Sequence, residues 1–328
     1  MELKKFEEKV YVAGQDIVSE FQGRFVSGVG IKIDGTVDAA GAGAVSGLTL
    51  DSPANVVGVI EILRSATVLI RASMVDLFHL DGILHGAYCD KLATTPAAGQ
   101  DFWNLPIEIP FALGRIPQGL ACVDMAGARG VVKGKWGVGT DYASTNVDFL
   151  GGIIRPMAHC PAKRPSKGYL RPLWEQFSID ISGGGADIQK TWRIDKDMVC
   201  AGVLVRQFNA SEVGDAQRDD GLVKNIRMEL GGVQSGEFFD MRWGAIKAAS
   251  AKIAKLAVAE QKSGVAFIPF NDIASPPAAC GYRMLRAGSA VTFRLDTSAA
   301  VEAEFTAATP AAGDLLYVLP VCYTFENV

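Results

Sequence analysis

Chemistry in this sequence would have to come from three histidines, six cysteines and a few paired carboxylates, and their spacing narrows it quickly. His79 and His85 flank a glycine-spaced motif and could form a metal pair. A second copy of that motif has Ser235 where His85 stands, so they read as ordinary strand and turn histidines, as does His159. Cys89, Cys122, Cys160, Cys200, Cys280 and Cys322 include no Cys-x-x-Cys pair, which reads as buried free thiols rather than a zinc site or a disulfide framework. Asp76 with Asp81, or Glu237 with Asp240, could serve a two-carboxylate glycan hydrolysis. Asp90 and Asp240 recur in both copies of the motif, however, which suits a turn role better than an active site. The glycine runs Gly41–Gly47 and Ile181–Asp187 lack the Gly-Lys-Ser/Thr ending of a phosphate loop, and no Gly-x-Ser-x-Gly elbow is present. No catalytic, cofactor-binding or metal-ligating residue is assigned.

Bulk properties bound the remaining classes. A chain of 328 residues predicts two domains at about 100–200 residues each. With 49% hydrophobic and 21% charged residues it is globular material, and 36 glycines suit many turns. A net charge of −4 argues against a partner held through nucleic-acid phosphates. No apolar run reaches the ~18 residues of a membrane span. The opening MELKKFEEKVYVAG has no apolar stretch, so no signal peptide is expected. Lys163, Arg164, Lys167 and Arg171 form a basic cluster that reads as a solvated segment rather than a site for phosphate headgroups or genome.

The elements that would position these residues read as short strands. Val56–Leu63, Ala66–Ala72, Val75–Leu80, Ile107–Phe111 and Gly130–Val138 are apolar runs between turn formers, and VKGKWGV and RMEL alternate as half-buried strands should. One helix is expected, Gly244–Gln261, with Ile246, Ala249, Ile253, Leu256 and Glu260 at three- and four-residue steps and Gly264 as its stop. Residues 1–14 read as a charged arm of one or two helical turns. His159–Pro172 is too rich in proline for a central strand and reads as a linker.

An internal repeat completes the organisation. Leu80–Asp90 (LDGILHGAYCD) resembles Leu230–Asp240 (LGGVQSGEFFD). Leu48-x-Leu50-Asp51 with Gly58-Val59 resembles Trp192-x-Ile194-Asp195 with Gly202-Val203. Ile109-Pro110-Phe111 resembles Ile268-Pro269-Phe270. In this reading Gly82 and Gly86 serve a tight turn, and Tyr88 and Phe238 pack rings on the core side of the following strand.

Two all-β halves of about eight strands each, a Pro-rich joint and a final strand in GDLLYVLPVCYTFENV together resemble the double-jelly-roll major capsid proteins of tailless icosahedral viruses, the tectivirus and corticovirus type. The resemblance implies an all-β fold of two tandem eight-stranded jelly-roll domains with a short helix inserted in the second. Its divisions are an arm at 1–14, a first jelly roll at 15–158, a linker at 159–175 and a second jelly roll at 176–328. It implies a capsid subunit that trimerises into pseudo-hexagonal capsomers of a virion shell. Neighbouring capsomers, penton and minor capsid proteins would be its partners, with an internal lipid membrane near the arm and no specific nucleic acid.

Two other functions compete. A two-jelly-roll enzyme acting on glycoproteins predicts an export signal and an acid-lined cleft. A carbohydrate-binding or host-attachment module predicts exposed aromatics on one face, whereas Trp103, Trp136, Trp174, Trp192 and Trp243 are scattered, and Trp192 replaces Leu48 in the repeat as a core residue would.

Overall fold

The computed structural model describes residues 2–5, 7–21, 25–39, 45–52, 54–88, 100–111, 121–160, 168–182, 184, 188–193, 198–231, 236–256, 260–270, 290–296 and 310–326. The chain divides into two compact units. The first comprises Met1–Glu175, Val213–Asp215 and Phe325–Val328, and the second Gln176–Glu212 and Ala216–Thr324.

In the first unit the elements run β1 (Glu2–Lys5), β2 (Lys9–Val10), β3 (Asp16–Phe21), β4 (Phe25–Val26), β5 (Gly28–Ala39), β6 (Ser46–Leu48), β7 (Val59–Arg64), β8 (Thr67–Ser73), α1 (Met74–His85) and β9 (Gln100–Pro110). Then follow β10 (Val123–Asp124), β11 (Gly130–Lys135), α2 (Gly139–Tyr142), β12 (Ala143–Thr145), β13 (Val147–Cys160), β14 (Tyr169–Pro172) and β15 (Trp174–Glu175). One sheet is ordered β1-β13-β5-β9 with β2 also on β13, and the other β15-β8-β7-β11-β3. Period-two patterning gives each sheet one apolar face. In β3, Ile17, Ser19 and Phe21 are buried while Asp16, Val18 and Glu20 face out. In β5, Val29, Ile31, Ile33 and Val37 are buried while Lys32, Asp34 and Thr36 are half-exposed.

The expected helical turns of the arm are strands instead. Glu2–Lys5 pairs antiparallel with Met157–Cys160, and Lys9–Val10 with Ile153–Ile154. The 14-residue β13 offers an edge of unpaired backbone groups, and the arm satisfies it.

A second correction concerns Val75–Leu80, which lies in the helix α1, not in a strand. Nine of its twelve residues are buried, so the run is covered on all sides and has no helical stripe. Periodicity cannot separate such a run from a buried strand. The local chemistry does: Ser73 caps the helix by accepting from the Asp76 N–H at 3.0 Å, and its hydroxyl donates to the Asp76 carboxylate at 2.6 Å. Gly86 ends the helix in the left-handed region at φ 69°. Gly82 is therefore a helix residue, against which the Tyr88 ring packs closely, and Tyr88 folds back on its own helix rather than onto a following strand.

In the second unit the order is β16 (Phe177–Asp180), β17 (Ile188–Arg193), β18 (Met198–Phe208), β19 (Asn225–Gly231), β20 (Gly236–Arg242), α3 (Trp243–Ala254), β21 (Val265–Pro269), β22 (Ala290–Asp296) and β23 (Leu315–Glu326). One sheet carries β23-β18-β21 with β16 on β23, and the other is β17-β22-β19-β20. The expected helix is present as α3, burying Trp243, Ile246, Ser250 and Ala254. It stops earlier than Gln261, at Lys255 in the left-handed region, and Gly264 turns the chain into β21.

With β1 and β15 set aside as additions at the sheet edges, the main-sheet strands of both units have one topology. The first, eighth, third and sixth strands form one sheet (β2-β13-β5-β9; β16-β23-β18-β21). The second, seventh, fourth and fifth form the other (β3-β11-β7-β8; β17-β22-β19-β20). That is the eight-stranded jelly roll, with a twelve-residue helix between strands five and six in both copies. The helix is thus part of the repeated plan.

The repeat in sequence is only partly the repeat in structure. Leu80–Gly86 is helical, whereas Leu230–Asp240 runs from β19 into β20, so these segments are not equivalent. Gly58-Val59 opens β7 while Gly202-Val203 lies within β18, whose counterpart is β5. Ile109-Pro110-Phe111 and Ile268-Pro269-Phe270 are equivalent. Gly28-Val29 pairs with Pro110-Ile109 as Gly202-Val203 pairs with Pro269-Ile268. The Phe111 N–H donates to Ser27 O, and the Phe270 N–H to Ala201 O, each at 2.9 Å. A Cβ on Gly28 would lie 2.9 Å from Ile109 O, and one on Gly202 would lie 2.6 Å from Ile268 O.

Candidate assembly surface and acid–histidine pairs

Every histidine of the chain meets a carboxylate within the first unit. His79 Nε2 lies 2.7 Å from Asp51 Oδ2, and both side chains are buried. The His79 ring also packs against Phe78 and Tyr88. Asp51 adopts φ 49°, which Asp tolerates, and its N–H donates to Asp215 at 3.1 Å. His85 Nδ1 lies 2.8 Å from Asp81 Oδ1 one helical turn earlier, and the same oxygen accepts from the Glu108 N–H at 3.1 Å. His159 Nε2 contacts Glu108 Oε2 at 2.5 Å.

The last contact depends on small residues. Glu108 on β9 faces Gly30 on β5, and His159 on β13 faces Gly28 on the same strand. A Cβ on Gly30 would lie 2.9 Å from the Glu108 carboxylate. The glycines of β5 let that carboxylate cross the strand to His159. Asp81 is mostly buried. Burial is the largest cause and pushes its pKa up to about 6, against the opposing influence of His85 and the Glu108 N–H.

These pairs hold the fold together. His79 and Asp51 are sealed from solvent, and Asp76 is a buried cap partner rather than a mate for Asp81. Asp240 accepts from Asn225 Nδ2 at 2.8 Å, and the side chain of Glu237 lies outside the described residues, as does Asp90. Among the described residues no group of three or more His, Cys, Asp and Glu side chains is placed to hold a metal ion. Cys122, Cys160, Cys200 and Cys322 are buried free thiols, and burial pushes the Cys122 thiol up to about 12. Cys89 and Cys280 lie outside the described residues.

The basic residues differ in their surroundings. Arg171 lies 2.6 Å from Glu326, which also accepts from the Tyr169 hydroxyl at 2.6 Å. Lys163, Arg164 and Lys167 lie outside the described residues, as do most of Gly41–Gly47 and Ile181–Asp187. On α3, Lys247 is turned in toward Asp220, and Ser250 accepts from the Phe267 N–H of β21 at 2.9 Å, so this helix packs on its own sandwich. Trp136 and Trp174 are buried in the first unit and Trp243 in the second. Trp192 is only half-buried, stacked on Phe177 rather than sunk in the core, and the Trp103 side chain lies outside the described residues.

The first unit's outer surface carries two features suited to contact. Across the sheet β3-β11-β7-β8-β15, register places Lys133, Glu61, Arg71 and Glu175 in one row of alternating charge, with Arg71 3.4 Å from Glu61. Beside it are exposed apolar side chains: Val18 and Val59 on the same sheet, and Val10, Val12 and Val138 around a groove completed by Tyr11, Val147 and Ile153. Val10 is 67% exposed. Sequence reading missed this surface because valines on strand edges look like core residues until the partner strands are known.

No protein-family model and no curated protein matches the chain. Solved structures do. The STIV MCP matches at a TM-score of 0.70 with 13% identity over 98% of this chain and 96% of that one. The major capsid protein P2 from bacteriophage PM2 matches at 0.58 with 9% identity over 99% and 97%. The PBCV-1 virus capsid matches at 0.57 with 10% identity over 100% and 96%. Over its whole length, and in the strand order of both units, the chain has the double-jelly-roll fold of these capsid proteins.

Proposed function

We propose that this chain is a major capsid protein, a structural subunit that associates with copies of itself into trimeric, pseudo-hexagonal capsomers and then into an icosahedral shell. The observation that carries the reading is the end-to-end likeness to capsid subunits, with 98% of this chain and 96% of the STIV MCP superposed. Fold alone does not fix function. Two features of the site support the same reading. The acid–histidine pairs are spent on internal packing, which favours a non-catalytic role. The exposed valines and the charge row of the first unit suit repeated contacts between copies. In this reading the first jelly roll, at residues 15–158, draws its first strand β2 from the arm of residues 1–14, and residues 159–175, which end β13 and carry the short strands β14 and β15, join it to the second roll at 176–328. Penton and minor shell proteins, and a lipid layer beneath the arm, are its further partners, and the virion is its location.

The test is the mass of the purified full chain in solution, followed by electron microscopy as concentration is raised. Trimers that grow into sheets or shells are expected. A monomer at all concentrations, or hydrolysis of a glycoprotein substrate, overturns the reading.

A further inference from the structure

Cys200 and Cys322 are register partners on the antiparallel strands β18 and β23. Directly opposed residues of such a pair hold their Cα atoms about 4.5–5.5 Å apart and send their side chains to one face. A disulfide spans Cα separations of about 4.4–6.8 Å. The two thiols already meet: Cys322 hydrogen-bonds to Cys200, and Cys200 Sγ donates to Gly202 O at 3.4 Å. The register slips by a residue between Cys200 and Gly202, a bulge that lets one strand shift locally while the sulfurs close.

We infer that Cys200 and Cys322 form a latent cross-strand disulfide, closed by exchange with a small-molecule disulfide such as oxidised glutathione. One cysteine, as thiolate, attacks a sulfur of the oxidant and expels one small thiol, leaving a mixed disulfide. The second cysteine attacks the protein sulfur of that mixed disulfide and expels the other small thiol. Two protein thiols are oxidised, one small disulfide is reduced to two thiols, and the two protein protons end on the leaving groups.

Burial sets when this happens. Both side chains are fully buried and out of reach of the oxidant in the closed sandwich, and burial pushes the Cys322 thiol well up. Exchange therefore proceeds before β23 is laid down, or while its end is open. Once formed, the bond is shielded from reductants by the same packing. It would tie the C-terminal strand to β18 and close a loop of more than a hundred residues, including α3. Given the shell reading above, a subunit made under reducing conditions and carried into oxidising surroundings would gain a covalent fastening late in its life.

The test refolds the full wild-type chain from denaturant in a glutathione redox buffer, blocks remaining thiols with a maleimide, and reads intact mass and peptides. The expected product is lighter by two hydrogen atoms than the reduced chain and yields a Cys200–Cys322 linked peptide. Its thermal midpoint should lie about 5–10 °C above that of the reduced chain. Uptake of maleimide by both cysteines after oxidative refolding, or linkage to any other cysteine instead, overturns the inference. Cys322→Ala should lose the redox-dependent midpoint shift, and persistence of that shift in a folded variant also overturns it. Shells whose Cys200 and Cys322 stay reduced would refute the disulfide while leaving the shell reading intact. A cross-linked chain that never assembles would refute the shell reading and leave the disulfide standing.

Discussion

Asp81 is a carboxylate whose fold works against its charge. Its pKa is about 6 in the folded chain against 3.8 unperturbed, so the folded state holds the proton more tightly. The stability this contributes is complete below about pH 3.8 and is lost as pH rises through about 6. Asp81→Asn keeps an oxygen for the Glu108 N–H and removes the buried charge. Urea unfolding should show the variant gaining about 1–3 kcal/mol on wild type between pH 5 and pH 7.5. A difference that does not vary with pH would refute the assignment. Gly202 makes the opposite kind of demand. Its missing Cβ is what lets β21 approach, with Ile268 O and Pro269 Cα at 2.6 and 3.1 Å from where that atom would be. Gly202→Ala should cost about 1–3 kcal/mol, because backbone rather than a flexible side chain must move. Gly30→Ala tests the notch across β5: it should displace Glu108 from His159 and shift the His159 imidazole NMR signals at fixed pH, with little change elsewhere.

Among the elements, α1 is the one whose sequence misleads most. Its cap is the clearest local signal, and Ser73→Ala should cost about 0.5–2 kcal/mol and speed amide exchange at Val75 and Asp76 before the rest of the sheet. What was legible in the chain follows from surface exposure. Alternating strands such as β11 and β19, and the one-sided helix α3, face solvent on one side and so display their period. MVDLFHLDGILH is buried all round and displays none. The arm carries no strand signal of its own, because its strand character is conferred by β13, far away in sequence. The repeat was detected for a sound physical reason at Ile-Pro-Phe, where close strand approach restricts residue choice in both copies. Elsewhere glycine and aromatic spacing coincided between a helix and a hairpin. The acid–histidine pairs were invisible beforehand, because Asp51 with His79 and Glu108 with His159 are joined by topology alone.

For the whole molecule, the two units repeat one wiring while differing in what they expose. Among the described residues, five of the seven exposed large hydrophobic side chains belong to the first unit's groove and outer sheet. If that surface seats a neighbouring copy, Val10→Asp with Val12→Asp should lower particle mass in sedimentation without altering the far-UV circular dichroism, and an unchanged assembly would exclude it. The pairing of first strand with eighth has a consequence of its own. β2 lies on β13 and β16 lies on β23, so each roll is entered and left on adjoining strands. A gene segment encoding one roll can then be copied head to tail without rethreading either sheet. The same adjacency should let the second roll be circularly permuted, its old ends bridged by a short peptide and new ends opened in an exposed turn.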